Sequence, residues 1–531
     1  MLKTCLNIAD FSLGYYAENA DIQCIKQKRF GYYSHHIKQG SVMRKSFEQQ
    51  MILGSIPISE TKITTKRRSG AFPGLCFALK EIFITPKWNE KVFKILKAKI
   101  TAGKKQTGRP GMNLWQIFVL SQVRLLKDLS YDDLHDLANN HSLIRQIMGI
   151  EKGFGYERYE FEYQTIVDNV SLLDDETVRE LNEVIVEFGH EVFKKKEAEA
   201  LCLKTDSFVV ESNVHFPTDY NLLWDSARKC LDMVDKFREK YPMEVVGWRK
   251  MHDWYRLMKN SMRAVGKASS SGGKGKEQRI KRAVRYYLSK ARALQDKLEG
   301  SKEMLPQRDT MDLLIRLELD QYMGFLEKHI DLLERRKIKE EQIPHEEKVF
   351  SIFEEYTEWI TKGKLHPNVE LGKKLAITTD QYHLIVDYRI MDHQSDSEIV
   401  KPLAERLTVL FDITSWSFDK GFWHKDNKAL LEECVGKVIM PKKGKCNKQE
   451  LEEERQQQFK LLRNKHSAVE SNINELECRG LDRCPDRGYG NFKRYIGLAV
   501  GSYNLRRIGQ ELIAIQREEQ QSKEREFRRA A

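Results

Sequence analysis

The stretch LCLKTDSFVVESNVHFPTDYNLLWD occupies residues 201–225, and its first half has the composition of a buried β-strand. Apolar and β-branched residues cluster there without helical periodicity. Asp206 lies inside this apolar run. A buried carboxylate is costly unless hydrogen bonds or a metal ion compensate for it. Two interpretations stay open from this stretch alone: Asp206 is a metal ligand, or it lies at a strand end and hydrogen-bonds a turn.

The composition favours a partner that carries negative charge. The chain has 531 residues, enough for about three domains. With 40% hydrophobic and 32% charged residues it can bury large cores beneath a charged surface, and its net charge is +12. Nucleic acid is therefore the first candidate partner, and an anionic membrane surface is the second.

Membrane insertion and export are not expected. No apolar run reaches the ~18 residues that a membrane span needs. The first residues lack the continuous apolar core of a signal peptide. Nine cysteines are scattered without a CxxC pair, which is typical of reduced thiols and not of a disulfide framework or a zinc site.

The chain before residue 198 is predicted to be mostly helical. Residues 1–42 have no clear pattern and are expected to form a poorly packed extension. Residues 43–110 combine helical periodicity with a basic stretch that ends in the helix-breaking sequence GRPG. Residues 111–197 are predicted to form an all-helical domain, in which Ser130 and Ser142 are placed as N-caps. Its short helices fit either a helix-turn-helix that enters a DNA groove or a plain packing module.

Residues 220–345 are predicted to form a large, mainly helical insertion. Arg279, Arg282 and Arg285 are followed closely by Tyr286 and Tyr287. Basic residues mixed with aromatic residues suit contacts to a nucleic-acid backbone. A solvated helix face is the alternative interpretation.

The rest of the chain alternates strands and helices, which predicts an α/β sheet with helices packed on it. Strands are predicted at residues 348–359, 374–379, 382–391, 408–413 and 435–440. Helices are predicted at residues 396–406, 425–433, 449–476 and 491–516, before a charged tail at residues 517–531.

Three carboxylates are placed where the sites of α/β sheets form, near strand ends and the adjoining helices. Asp206 lies on the first predicted strand, Asp419 follows a later strand, and Glu470 lies on a long helix. Two Mg²⁺ ions held by carboxylates suit phosphodiester chemistry, because one activates the attacking oxygen and the other stabilises the leaving oxygen.

Asp380, Asp412 and Asp419 are alternatives for the second position in this site. Asp380 lies in a predicted hairpin turn, where aspartate is favoured for local hydrogen bonds. Asp412 lies inside the run VLFDI, so it could be a buried ligand. We choose Asp419, because it lies between a strand end and a helix and because Gly421 allows close approach of the backbone.

Several motifs, taken in order, resemble those of insertion-sequence transposases of the DDE type. TDS at 205–207 with ESNVHFPTD at 211–219 resembles their first-aspartate motif, and FDKGF at 418–422 resembles the second. KGK at 362–364 and VELG at 369–372 resemble the segment that enters the next strands. HSAVESNIN at 466–474 resembles the glutamate motif, and LAVGSYNLRRIG at 498–509 resembles the closing helix. The resemblance extends from residue 43 to about residue 509.

The resemblance implies both a fold and a set of ligands. The catalytic core is expected to be α/β, a ribonuclease H-like mixed sheet with flanking helices at residues 198–516, which follows the N-terminal helical domain and contains the helical insertion. Asp206, Asp419 and Glu470 are implied to be the catalytic residues and the ligands of two divalent metal ions, Mg²⁺ or Mn²⁺.

The surroundings of the glutamate depart from some DDE families, which place Tyr, Arg and Lys there in a fixed pattern. This chain has Arg463, His466 and Glu477 at those positions. Arg463, Lys465 and His466 are predicted to contact DNA phosphates, as are the three arginines of the insertion.

Three hypotheses about function follow. The first is an active transposase that binds the terminal repeats of its element, cleaves DNA and joins the freed 3′-hydroxyl to target DNA. It is expected to act as a homodimer on double-stranded DNA, in the bacterial cytoplasm with the nucleoid and without a membrane partner. The second is a catalytically inactive, transposase-derived DNA-binding protein. The third is a metal-dependent nuclease that cuts without joining.

Overall fold

The computed structural model describes residues 56–63, 71–101, 111–151, 159–194, 199–361 and 369–530. The predicted extension at residues 1–42 lies outside the described residues, as does most of the predicted GRPG hinge. The motif at residues 362–364 lies outside them too.

The part of the chain before the sheet is helical, as the sequence predicts. Ser130 caps its helix by accepting a hydrogen bond from the Asp133 amide, which confirms that N-cap. The predicted cap at Ser142 is wrong by one residue, because Ser142 is already helical and the His141 ring accepts the capping bond. The helices in this part are α1 (Ala71–Ile84), α2 (Pro86–Ile100), α3 (Leu114–Arg124), α4 (Tyr131–Asn140), α5 (Ser142–Ile147), α6 (Tyr163–Val170) and α7 (Asp175–Val192).

The described residues contain a mixed, open sheet of seven strands, which confirms the α/β class. The strands are β1 (Leu201–Ser212), β2 (Glu358–Thr361), β3 (Val369–Thr379), β4 (Ile385–Met391), β5 (Ile413–Phe418), β6 (Lys437–Ile439) and β7 (Arg483–Cys484). Strand β1 lies at the centre, antiparallel to β3 on one side and parallel to β5 on the other. Strands β2 and β4 pair with β3, β6 pairs with β5, and β7 pairs with the far end of β1.

Four long helices separate β1 from β2, at the place where the sequence predicts a helical block. They are α8 (Asp219–Lys240), α9 (Met251–Ser270), α10 (Lys276–Lys302) and α11 (Thr310–Lys337). Their buried side chains form a hydrophobic core of their own. Tyr287 is part of this core and is fully buried, so the expectation that it contacts nucleic acid together with Tyr286 is wrong for Tyr287.

The sheet carries helices on both faces. The later helices are α12 (Val400–Leu410), α13 (Lys425–Cys434), α14 (Lys448–Arg455), α15 (Gln457–Leu476) and α16 (Tyr489–Ala530). Buried residues of α12 and α13 cover one face. On the other face, α15 and α16 join the N-terminal helices in one continuous core. The predicted charged tail at residues 517–531 is helical as far as Ala530, because α16 continues there, and its residues 518–529 are exposed.

Helix α16 connects the N-terminal helices to the sheet through close packing. Its Gly509 lies so near Gly74 of α1 that an added Cβ would overlap the Gly74 carbonyl oxygen at 1.7 Å. The Asn504 side chain hydrogen-bonds both the amide and the carbonyl of Ile385 on β4, each at 2.9 Å. These contacts fix the N-terminal helices relative to the sheet.

Two strand predictions are wrong. Of the strand expected at residues 348–359, only the end is extended, as β2. The strand expected at residues 408–413 is instead the last turn of α12, followed by the start of β5. Val409 and Leu410 suggested a strand by their composition, but they lie on the outer face of the helix, 83% and 52% exposed.

Among the described residues, no helix combines the length and apolar content needed to cross a membrane.

Candidate active site between β1 and the end of β5

Strands β1 and β5 bring Asp206 and Asp419 to the same level of the sheet. The two strands are parallel, and Thr205 pairs with Phe418. The residue that follows each of these two is an aspartate, so Asp206 on β1 and Asp419, just past the end of β5, lie side by side. Trp416 supports this register by donating its indole N–H to the Thr205 hydroxyl at 2.8 Å.

Helix α15 is attached to β5 just before this point. The Ser417 hydroxyl and Nδ1 of His466 are 3.0 Å apart in a buried contact. Glu470 lies one helical turn beyond His466, so the same attachment places its carboxylate near the aspartates. Glu470 and Asp419 are both exposed, whereas Asp206 is half-buried.

The electrostatic surroundings of Asp206 reflect the approach of Asp419 and Glu470. Burial raises the pKa of Asp206 to about 7, and the charges of Asp419, Glu470 and Asp396 act in the same direction. The Ser207 amide, which donates to Oδ1 of Asp206 at 2.7 Å, opposes the rise. The carboxylates of Asp419, Glu470 and Asp396, which are distant from Asp206 in the sequence, therefore all act to raise its pKa.

Asp396 is the member of this group that the sequence analysis missed. It lies in the loop between β4 and α12 and accepts a hydrogen bond from the Ser207 hydroxyl at 2.7 Å. Lys374 on β3 lies 3.3 Å from its Oδ2. A Cβ on Gly421 would lie 2.9 Å from the same oxygen, so glycine permits the Asp419 loop to approach Asp396 closely. No spacing rule could have selected Asp396, because its role depends only on tertiary contacts.

The alternative aspartates have structural roles. Oδ1 of Asp380 accepts hydrogen bonds from the amides of Tyr382 and Leu384, as expected for a hairpin turn. Asp412 is exposed and precedes β5, where its backbone carbonyl accepts a bond from the Leu201 amide. Neither is among the groups whose charge acts on Asp206.

The donor set suits a hard divalent cation. Asp206, Asp419 and Glu470 offer only oxygen ligands, which Mg²⁺ and Mn²⁺ favour. A cation among them would also offset the mutual repulsion that helps to raise the pKa of Asp206. In the described part of the chain, no three His, Cys, Asp or Glu side chains come close enough together to enclose an ion as they stand. Binding therefore requires the exposed side chains of Asp419 and Glu470 to rotate towards Asp206.

Two of the three residues predicted to contact phosphate on α15 are exposed, namely Arg463 and Lys465. His466 does not fit the prediction. It is 8% exposed, and burial lowers its pKa to about 4, so the ring is neutral at pH 7. His466 instead holds α15 against β5.

The basic residues of α10 divide into two kinds. Arg279 donates to the carbonyls of Gly272 and Lys274 and so supports the loop before its own helix. Arg282 and Arg285 are exposed, and no ion pair of either is found among the described residues. Of the three arginines predicted to contact DNA, only Arg282 and Arg285 therefore have guanidinium groups that make no hydrogen bond or ion pair within the described structure.

A scan against protein-family models, a search of curated proteins and a search of solved structures each find no match for this chain.

Proposed function

We propose that this protein is a DDE-type transposase that cleaves DNA phosphodiesters and joins the freed 3′-hydroxyl to target DNA. The observation that carries the proposal is the convergence of Asp206, Asp419 and Glu470 from β1, the end of β5 and α15. The motifs that suggested these residues come from the sequence, whereas the convergence comes from strand register and helix attachment.

The sheet supports a ribonuclease H-like core. Without the short strands β2 and β7, the strand order is β4-β3-β1-β5-β6. Three antiparallel strands are followed by two parallel strands reached through helices, with the carboxylates at the centre of the sheet. This is the order expected of a ribonuclease H-like sheet, and the four-helix insertion follows its first strand.

Each part of the proposed site has a separate task. Asp206, Asp419 and Glu470 would hold two divalent ions, which when bound activate the attacking oxygen and stabilise the leaving one. The Ser207 amide fixes Oδ1 of Asp206. Asp396 accepts a hydrogen bond from the Ser207 hydroxyl and pairs with Lys374 on β3, so the two residues together hold the Ser207 side chain in place. The exposed Arg463 and Lys465 lie on the same helix as Glu470 and are placed to attract the DNA backbone.

A cleavage assay and a joining assay test this proposal, the second with a duplex that already ends at the 3′-hydroxyl. The substrate is a duplex that carries the sequences flanking the coding region, with one 3′ end labelled, and it is incubated with Mg²⁺ or Mn²⁺. A transposase releases a 3′-hydroxyl end and joins a pre-cut end to plasmid DNA, with both activities lost in Asp206→Asn and Glu470→Gln.

The alternatives give different patterns. A metal-dependent nuclease would cut but leave the plasmid without joined product. An inactive DNA-binding protein would retain the duplex and give neither product. Cleavage that persists in both variants would exclude the proposed site itself.

A further inference from the structure

The end of the helical insertion that lies farthest from the sheet carries exposed apolar side chains. Helices α8 and α11 join the insertion to the sheet at Asp219 and Lys337, so the loops at residues 241–250 and 303–309 lie at its opposite end. Five large apolar residues at this end are 49–60% exposed, and we call them the apolar tip: Met304, Met311, Leu313, Leu314 and Leu317. Exposed apolar residues that cluster in this way mark an interaction site.

Helix α11 has apolar residues on two faces in its first turns. Leu319 packs into the insertion's own core. At 3.6 residues per turn, Leu314 and Leu317 lie on the face opposite Leu319. Gln321 and Gly324 continue the same outer face at a spacing of three or four residues, and the space beside Gly324 is open. A face with this spacing is one along which a second helix can pack.

The loop before α11 is fixed against the helix, so Met304 belongs to the same surface. Arg316 donates to the Leu305 carbonyl at 3.0 Å, and Lys302 lies 2.7 Å from Asp320. These contacts hold Met304, which lies between Lys302 and Leu305, beside the second turn of α11.

The charges around the apolar tip do not favour a polyanionic partner. Lys302 is paired with Asp320, and Arg308 is paired with Glu244 at 2.8 Å. Glu303 and Glu318 are exposed, and no ion pair of either is found among the described residues. Because the cations are neutralised and two carboxylates are left over, this surface repels DNA and anionic lipids. An apolar protein surface is therefore the partner that fits it.

We propose that the apolar tip binds the same surface of a second copy of this chain, with the two α11 helices antiparallel about a twofold axis. An axis between Leu314 and Leu317 packs Leu314 of each copy against the partner's Leu317. The same register places Glu318 level with the partner's Leu313, in the first turn of the partner's helix. Since the helix dipole is positive in that turn, it favours a carboxylate. The surface is thus complementary to itself in shape and in charge.

The size of the apolar tip is sufficient for a weak dimer. Five half-exposed side chains of this kind present on the order of 400 Å², within the range of the largest apolar patches on monomers. Two copies would bury on the order of 800 Å² of apolar surface, and with a polar rim the total comes near the ~1,200 Å² at which specific interfaces begin. We therefore expect a dissociation constant in the micromolar range.

This inference goes beyond the proposed function, because the surface lies on the insertion and not at the carboxylates. It gives the homodimer expected on DNA a contact that forms without DNA.

The test measures the mass of the full chain by sedimentation equilibrium over micromolar concentrations, in EDTA and without DNA. We expect the mass of the wild type to rise from that of one chain towards that of two. Leu314→Arg places a charge beside the twofold axis, so dimerisation should weaken by at least about tenfold. Val409→Arg is the matched control, because Val409 is 83% exposed on α12 and should dimerise like the wild type.

Cysteine cross-linking tests the antiparallel register. Chains with Leu314→Cys and chains with Leu317→Cys, tagged to differ in size, are mixed and mildly oxidised. We expect the mixed covalent dimer to exceed the dimers of either variant alone. The wild type gives the background from its exposed Cys434 and Cys478. If the mixed product does not exceed this background, the register is wrong.

Three further outcomes would overturn the proposal. The wild type remains monomeric throughout the concentration range, or Leu314→Arg and Val409→Arg dimerise equally. Alternatively, the monomer binds phosphatidylcholine vesicles and Leu314→Arg does not, which would assign the apolar tip to a membrane. Because neither DNA nor a metal ion is present, loss of cleavage in the carboxylate variants leaves this test unaffected.

Discussion

The carboxylate region around Asp206 and the helical insertion between β1 and β2 have opposite characters. Around Asp206 on β1, the acidic side chains of Asp396, Asp419 and Glu470 lie in neighbouring loops and on α15, and Asp206 and Asp396 are half-buried. The insertion has its own core and exposed arginines. Concentrated negative charge repels DNA unless cations intervene, whereas exposed positive charge attracts it. This difference is what we expect if, as proposed, the chemistry takes place at the sheet and the insertion contacts DNA.

The two regions also differ in the hydrophobic cores on which their stability depends. The carboxylate region lies on the sheet between two cores that reach the N-terminal helices and α12. The insertion buries its side chains among its own four helices. Surface changes in the insertion should therefore alter DNA binding without moving the carboxylates.

The largest expected effect comes from removing one charge at the strand ends. Asp419→Asn keeps the shape of the side chain but weakens a ligand for the divalent ion, so we expect cleavage to fall by about 10³-fold or more. DNA binding and the circular dichroism spectrum should be unchanged. Asp412→Asn is the matched control and should cleave like the wild type, because Asp412 is exposed and lies before β5. Equal cleavage by the two variants would mean that Asp419 is not a ligand.

A smaller loss is expected from Asp396, which supports the site from the loop between β4 and α12. Asp396→Ala removes the partner of Ser207 and Lys374, so Asp206 and the Asp419 loop lose a shared contact. We expect cleavage to fall about 10- to 100-fold, with more Mg²⁺ needed for half-maximal rate. Glu398→Ala is the control, because Glu398 lies in the same loop and bonds only to Ser395 among the described residues. An unchanged Mg²⁺ requirement would show that Asp396 does not position the site.

The insertion should affect binding and not the chemical step. Arg282→Ala with Arg285→Ala removes two exposed cations, and the slope of log K against log salt should become shallower by about one for each arginine. Cleavage at saturating DNA should be unchanged. Arg292→Ala serves as the control, because Arg292 lies on the same helix but is paired with Glu334 at 2.6 Å. If all three salt slopes coincide, the arginines are only a solvated face.

The smallest expected effect is a pH dependence of folding stability that arises from the raised pKa of Asp206. In the folded protein the pKa of Asp206 is raised to about 7 from 3.8, so the folded state binds more protons and stability falls as pH rises from about 4 to 7. In EDTA, Asp206→Asn should therefore gain thermal stability over the wild type between pH 5 and pH 8. Mg²⁺ at pH 8 should stabilise the wild type more than the variant. If the difference in Tm between Asp206→Asn and the wild type stays constant with pH, the pKa of Asp206 is not raised and the description of its surroundings is wrong.

The features that could be predicted from the sequence are those that local pattern determines. Asp206 was recognisable because a carboxylate in an apolar strand is unusual, and Asp380 because hairpin turns favour aspartate. The helical character of the insertion was predicted at about residues 220–345, but its division into the four helices α8 to α11 was not. Asp419 was chosen over Asp412 from its place in a loop before a helix, and the register of β1 and β5 puts it beside Asp206.

Tertiary contacts determined the rest. The apolar residues Val409 and Leu410 predicted a strand, but they end α12, because packing of the opposite face holds that turn helical. His466 had the sequence position of a phosphate contact, yet the Ser417 hydroxyl holds it in the interior. Asp396 had no sequence signal at all, because Ser207 and Lys374 reach it from other strands.

The most direct test of the account is diffraction from crystals soaked in millimolar Mn²⁺, with the anomalous signal of the metal used to locate it. We predict an anomalous peak at ligating distance, about 2–2.5 Å, from the carboxylates of Asp206 and Asp419, with the Glu470 side chain turned towards it. The peak should be absent in Asp206→Asn. Manganese bound elsewhere, with these three carboxylates apart, would contradict the assignment of a metal-dependent active site.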